Sequence, residues 1–159
     1  MSIRSTAKAL LVNDGKLLLN RCNDKKNGDY YSLPGGGQQQ YETLHDALIR
    51  ECLEETGYRV KPLRLAAVSE EICTNEKFRA KYSQYAHKVF HVFYCELVND
   101  IEEIPTETDT DQEESVWIPL NELSALRILP KVLGDSMREV LNGTAPLFLG
   151  SELIALSHG

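Results

Sequence analysis

Two kinds of hydrophobic spacing divide the chain into elements. Ser5 to Val12 and Lys16 to Arg21 are apolar-rich runs around Asn13-Asp14-Gly15, a hairpin signature. From His87 to Val98, Val89, His91, Phe93, Cys95 and Leu97 alternate with Phe90, Val92 and Tyr94. Both sets are mostly apolar, so this strand is expected at the centre of a sheet covered on two faces. Tyr30 to Leu33, Val60 to Glu70 and Ser115 to Pro119 read as further strands, and Pro146 to Leu156 as an edge strand. A period near 3.6 replaces the alternation over Thr43 to Thr56, where Leu48, Ile49, Cys52 and Leu53 share an arc of about 140°. Thr43 suits the N-cap, with Asp46 three residues on, and Gly57 suits a left-handed terminator. Asn121 to Leu126 and Pro130 to Leu141 read as helices. Cys22 to Asp29, Gly35 to Gln40, Ile72 to Tyr85 and Asp100 to Glu114 read as loops. Strands and helices mix without regular βαβ alternation, which favours a mixed sheet between helices.

The polar face of the 43–56 helix is the unusual one. Glu51, Glu54 and Glu55 fall within about 100° of arc. Glu51 and Glu55 are like charges at i,i+4, and Glu54 and Glu55 sit in the last turn, where the helix dipole disfavours anions. Arg50 is the local cation. A solvated surface is the ordinary reading of one Glu pair, but Ser32-Leu33-Pro34-Gly35-Gly36-Gly37 stands just upstream. Glycines let a backbone approach a ligand closely, so loop and helix can share one metal–phosphate site. A hard divalent cation such as Mg²⁺ takes oxygen ligands and leaves room for substrate phosphates.

Gly36, five residues, Glu42, seven residues, then Arg50-Glu51-Cys52-Leu53-Glu54-Glu55-Thr56-Gly57-Tyr58 resembles the Nudix box, G-x5-E-x7-R-E-U-x-E-E-x-G-U. All seven fixed positions match. At roughly 7% usage per residue type, chance agreement at one location is on the order of one in a hundred million, so coincidence is excluded. The LLLNR, SLPGG and VWIPLNEL segments are similar to further landmarks of Nudix (MutT-like) hydrolases. The resemblance implies an α/β/α sandwich and a pyrophosphohydrolase. Such an enzyme cleaves a nucleoside diphosphate derivative by water attack on phosphorus, with Mg²⁺ or Mn²⁺ as cofactor. It further implies Gly36, Glu51, Glu54 and Glu55 as metal ligands, Glu51, Arg50 and Glu54 as catalytic residues, and Glu42 as a brace of the loop or a ligand to a second metal. Arg21, Gly35 and Gly36 are the expected substrate contacts. The base is left open between Glu51 and a carboxylate of the acidic segment, Glu107, Asp109, Asp111, Glu113 or Glu114. Cys52 at the first hydrophobic position, Tyr41 where glycine is common and Gln39 where Glu is common depart from the pattern.

Length and composition limit the alternatives. The 159 residues suit one domain spanning 1–159, and 42% hydrophobic with 26% charged residues is an ordinary globular make-up. Net charge −7 disfavours polymeric nucleic acid and anionic membranes, though not a nucleotide held through metal. No apolar run reaches transmembrane length and the N-terminus has no signal-peptide pattern, so a cytoplasmic enzyme is expected. The resemblance admits a homodimer. Cys22, Cys52, Cys73 and Cys95 have no zinc or redox spacing; Cys52 and Cys95 read as buried, Cys22 and Cys73 as lying in or beside loops. His91 reads as a hydrogen-bonded interior group. Lys77, Arg79 and Lys81 are available for phosphates, Tyr31 and Phe78 for stacking. Two other readings stay open: a silent nucleotide-sensing domain, and a diphosphate isomerase, which needs a cysteine at the site. The derivative itself is not specified, with specificity expected in the 22–29, 72–85 and 100–114 loops.

Overall fold

The computed structural model describes residues 2–107 and 111–158. Strands β1 (Arg4–Asn13) and β2 (Lys16–Asp24) form the expected hairpin, but pair only next to the turn. They then diverge. Beyond that point β2 is flanked by β3 (Gly28–Ser32) and β7 (Gln112–Pro119), both antiparallel. The vacated edge of β1 is taken by β4 (Gly35–Gly37), and its other edge pairs parallel with β6 (His87–Leu97). β6 pairs antiparallel with β5 (Val60–Cys73), which pairs parallel with β8 (Leu147–Ile154) at the edge. The sheet is therefore mixed, as expected.

Side-chain alternation gives it two apolar faces. Ala7, Ala9 and Leu11 of β1 and Phe93 and Cys95 of β6 pack under helix α1 (Leu44–Thr56), against Ala47, Leu48 and Cys52. On the opposite face Leu10, Leu17, Leu19 and Val92 meet Leu123, Leu133, Met137 and Val140 from the 3₁₀ turn Leu120–Ala125 and the helices α3 (Lys131–Asp135) and α4 (Met137–Asn142). β6 is central and covered on both sides. α1 begins where Thr43 accepts from the Asp46 amide and ends at Gly57 in the left-handed region, φ 77°. A Cβ on Gly57 would also lie 1.7 Å from the Glu103 carbonyl oxygen. Gly57→Ala should therefore cost more than the 1–2 kcal/mol of left-handed strain alone, readable as a lowered denaturation midpoint.

Five expectations need correction. The 22–29 segment is mostly strand: β2 and β3 continue to a tight turn at 25–27, pinned by Asp24 accepting from the Lys26 and Asn27 amides at 2.8 and 2.6 Å. Gly35–Gly37 is a short strand, because β1 has an open edge there to satisfy its amides. The 72–85 excursion holds a helix, α2 (Glu76–Lys81), capped by Asn75. The 130–141 helix is broken at Ser136 into α3 and α4, and 121–126 is 3₁₀ rather than α. Among the described residues no helix is long and apolar enough to cross a membrane.

Candidate active site

Arg50 organises the carboxylates of α1. Its Nε and Nη2 donate to Glu42 at 2.7 and 3.0 Å, Nη1 donates to Glu51 at 2.8 Å and Glu54 at 3.3 Å, and Nη2 also donates to the Gly37 carbonyl at 3.1 Å. One planar guanidinium thus ties three carboxylates to the glycine strand, a geometry a lysine cannot copy. The Arg50 hydrogen bond holds the Glu42 carboxyl below its ordinary range, and the Glu42 and Glu51 contacts outweigh burial to raise that of Arg50. Glu42 also accepts from the Gln39 amide at 3.0 Å, bracing the loop before the helix. In that loop Tyr41 takes φ 69° with its side chain 98% exposed. The left-handed backbone accounts for glycine being the easier residue there.

Glu55 turns the other way. It is 3% exposed, and its Oε2 accepts from the Gly35 amide at 3.0 Å and Asn20 Nδ2 at 2.9 Å. On the helical wheel it borders the apolar arc at Leu48, so it enters the interior while Glu51 and Glu54 stay partly exposed. Its visible function is to clamp the glycine strand to β2 and α1. The strand itself is closely fitted: a Cβ on Gly35 would lie 2.0 Å from the Ala7 carbonyl oxygen, and one on Gly36 would meet the Glu51 carboxylate oxygens at 2.6 and 2.9 Å.

Gly35, Gly36, Gly37 and Glu51 line a cleft of about 730 Å³, a size suited to a small ligand. Arg4, Lys8, Lys25, Lys26 and Lys88 line it too, against Asp24, Glu51 and Asp111. A chain of net charge −7 thus gathers cations at one place. Lys8 donates to the Gly35 carbonyl at 3.0 Å, and Arg4 lies against Gly37 and over the Tyr85 ring, 4.8 Å from its centroid. Phe78, Tyr82, Tyr85 and Phe90 supply aromatic faces. Arg4, Lys8 and Lys88 escape a sequence reading because they punctuate apolar strands; only the pairing of β1 with β4 and β6 brings them to the glycines.

The other expected residues separate into two groups. Each of the three expected specificity segments reaches the cleft: 22–29 through Asp24, Lys25 and Lys26, 72–85 through Phe78, Tyr82 and Tyr85, and 100–114 through Asp111. Arg21 does not line it; the side chain is half-exposed and paired with Glu114 at 2.5 Å. Tyr31 packs on the core beside Arg21. Lys77, Arg79 and Lys81 do not line the cleft either, Arg79 instead donating to the Cys73 carbonyl. The Glu107 amide bonds the Glu54 carbonyl at 3.0 Å and Gln112 Nε2 the Glu55 carbonyl at 3.1 Å, so the acidic segment docks on the end of α1 through polar groups the helix leaves unsatisfied. Asp109 lies outside the described residues. His91 is hydrogen-bonded but only partly buried, its Nδ1 3.0 Å from the Thr6 carbonyl.

All four cysteines are buried, Cys22 and Cys73 on strands rather than in loops. Burial pushes the Cys52 thiol well up and that of Cys95 up to about 12. Neither suits proton transfer, and Cys52 faces the core, which removes the isomerase's requirement. Among the described residues no three His, Cys, Asp or Glu side chains converge as a metal cage; Arg50 fills the space between Glu42, Glu51 and Glu54. A hard divalent cation needs only one or two carboxylates when phosphates and waters complete its shell. Glu51, Glu54 and Gly36, the glycine beside the Glu51 carboxylate, carry oxygens of the kind that such a cation takes.

A stretch of 69 residues is 36% identical to an RNA pyrophosphohydrolase of Novosphingobium aromaticivorans, covering 43% of each chain; the chain thus spans under half of that curated relative. A NUDIX hydrolase from Nitrosomonas europaea superposes with TM-score 0.67 at 22% identity, over 88% of both chains. An ADP-ribose pyrophosphatase from Streptococcus suis superposes with TM-score 0.64 at 18% identity, over 92% of this chain and 99% of that one. The NUDIX domain family matches residues 3–141, and with the box, the fold and the cleft in agreement, the chain belongs to the NUDIX hydrolase family.

Proposed function

We propose that the chain is a divalent-metal-dependent pyrophosphohydrolase acting on a small nucleoside diphosphate derivative. The observation that carries this is the contact of Gly36 with Glu51 inside a cation-lined cleft. That arrangement supplies an all-oxygen metal position next to groups that attract a diphosphate. Glu51, Glu54 and the Gly36 carbonyl would hold Mg²⁺ or Mn²⁺, with Glu55 securing the strand that presents Gly36. The bound cation would polarise the phosphoryl oxygens and ease deprotonation of the attacking water.

The protein's own residues do the rest. Lys8 and Arg4, beside Gly35 and Gly37, balance the phosphate charge. Arg50 fixes the carboxylates of α1 in place before the ligand arrives. Asp111, the one described side chain of the 100–114 segment lining the cleft, is a candidate base alongside Glu51. The aromatic faces suit a nucleobase.

A 5′-phosphorylated RNA end is the second reading, favoured by the name of the Novosphingobium relative. A panel of ADP-ribose, a UDP-sugar, a dinucleoside polyphosphate, a nucleoside triphosphate and a 5′-triphosphorylated oligonucleotide, assayed with Mg²⁺ or Mn²⁺, tests both. Turnover of a small derivative that EDTA abolishes and added metal restores is expected. Turnover of the oligonucleotide above all others selects the second reading. Absence of turnover across the panel returns the chain to the sensing alternative.

A further inference from the structure

A cluster on the cleft wall has no part in the diphosphate chemistry. Residues 155–158 follow β8 and fold back so that Ser157 and His158 line the cleft. They are secured from three directions. Asn27 Nδ2 donates to the Ser157 carbonyl at 3.3 Å, Lys88 Nζ donates to the His158 carbonyl at 2.6 Å, and His158 Nε2 lies 2.7 Å from Glu71 Oε2. Glu71 and Lys88 are opposite partners on β5 and β6. They are 2% and 4% exposed, and His158 is 9% exposed. Buried charges are costly unless satisfied, and here two of them bond the same histidine. Its ring stacks on Phe90, 6.3 Å between centroids and 12° between planes, with Tyr30 edge-on.

The geometry also assigns the ring nitrogens. Burial works to raise the Glu71 carboxyl, yet the hydrogen bond and charge of His158 and the Lys88 ammonium hold it below the usual range. An ionised carboxylate only accepts, so Nε2 donates to it, which leaves Nδ1 as the ring's other polar atom. Nδ1 makes no hydrogen bond to any described residue. Phosphate is drawn to Arg4 and Lys8 at the glycine strand. That leaves Nδ1 for another part of the ligand, and Phe78, Tyr82 and Tyr85, which line the same cleft, suit a flat ring.

We propose that His158 is a specificity-determining residue, its Nδ1 bonding the nucleoside end of the bound diphosphate while Glu71 and Lys88 fix the ring. The inference rests on the diphosphate reading of the cleft, and its test is binding rather than turnover. Calorimetric titration with Mg²⁺ would compare ADP, GDP, CDP and UDP with inorganic pyrophosphate on the wild type, H158Q and H158N. Gln keeps an amide where Nε2 meets Glu71 but has no polar atom at the Nδ1 position; Asn keeps a polar atom at that position. H158Q should weaken nucleotide binding about tenfold, the value of one hydrogen bond, and leave pyrophosphate unchanged, with H158N recovering most of the loss. Equal loss for pyrophosphate and nucleotides, unchanged nucleotide binding, tighter binding, or no recovery in H158N would each overturn the assignment. Nucleotide binding of the expected pattern without hydrolysis of any substrate would sink the hydrolase reading alone.

Discussion

Glu51→Gln and Glu54→Gln should each lower kcat/KM by about 10²–10³-fold, the scale of deleting one preorganised electrostatic contact to a reacting phosphoryl group. Stability should scarcely move. Each loses one partly exposed contact to Arg50, at 2.8 Å for Glu51 and 3.3 Å for Glu54, and such pairs contribute about 0.2–1 kcal/mol. Removing an anion from a crowded face restores a similar amount, and for Glu54 the last-turn dipole adds to that relief. Glu55→Gln should behave differently, although it is the same chemical change one residue along. The buried Glu55 carboxylate accepts from the Gly35 amide and Asn20, and charge-assisted bonds of this kind are worth about 1.5–3 kcal/mol. That variant should lose both stability and activity, whereas the other two lose activity alone. Denaturation midpoints and steady-state kinetics on all three, with Mg²⁺ present, check this. Wild-type turnover in Glu51→Gln and Glu54→Gln would move the site elsewhere.

The contrast between Glu54 and Glu55 marks where the sequence stops being legible. Helical spacing identifies α1, its two caps and its apolar stripe, because those depend on residues within a few positions of each other. It groups Glu51, Glu54 and Glu55 as one acidic face. It does not say that Glu55, next to Leu48 on the wheel, will turn inward, since that depends on β4 offering a free amide at Gly35. The same limit hides Arg4, Lys8 and Lys88: each interrupts an apolar strand, and only the departure of β2 from β1 opens the edge where glycines and cations meet. Arg21 failed for the converse reason. It has the right charge near the right loop, but strand register pairs it with Glu114, and it is not among the residues lining the cleft. His158 is 70 residues from Lys88 and 87 from Glu71, so no local pattern could have connected them.

Arg50→Met is expected to show a large stability change, because Arg50 is the cation that reconciles three carboxylates. It contacts Glu42, Glu51 and Glu54 and the Gly37 carbonyl at once. Breaking a buried pair costs about 3–5 kcal/mol. The four side chains here are between 15% and 27% exposed, so water and counterions relieve part of that, leaving about 2–3 kcal/mol. In a chain of this size Tm should fall by roughly 5–10 °C. The variant also tests the carboxylates as a cation site without relying on turnover. With the guanidinium gone, a bound divalent ion has more repulsion to relieve, and a ligand of the folded state stabilises it by RT ln(1 + [L]/Kd). Millimolar Mg²⁺ should therefore raise the Tm of Arg50→Met more than that of the wild type, and Arg50→Lys should fall between the two. A variant as stable as the wild type would mean that Arg50 does not organise the site. A destabilised variant indifferent to Mg²⁺ would mean that Glu51 and Glu54 do not hold the metal.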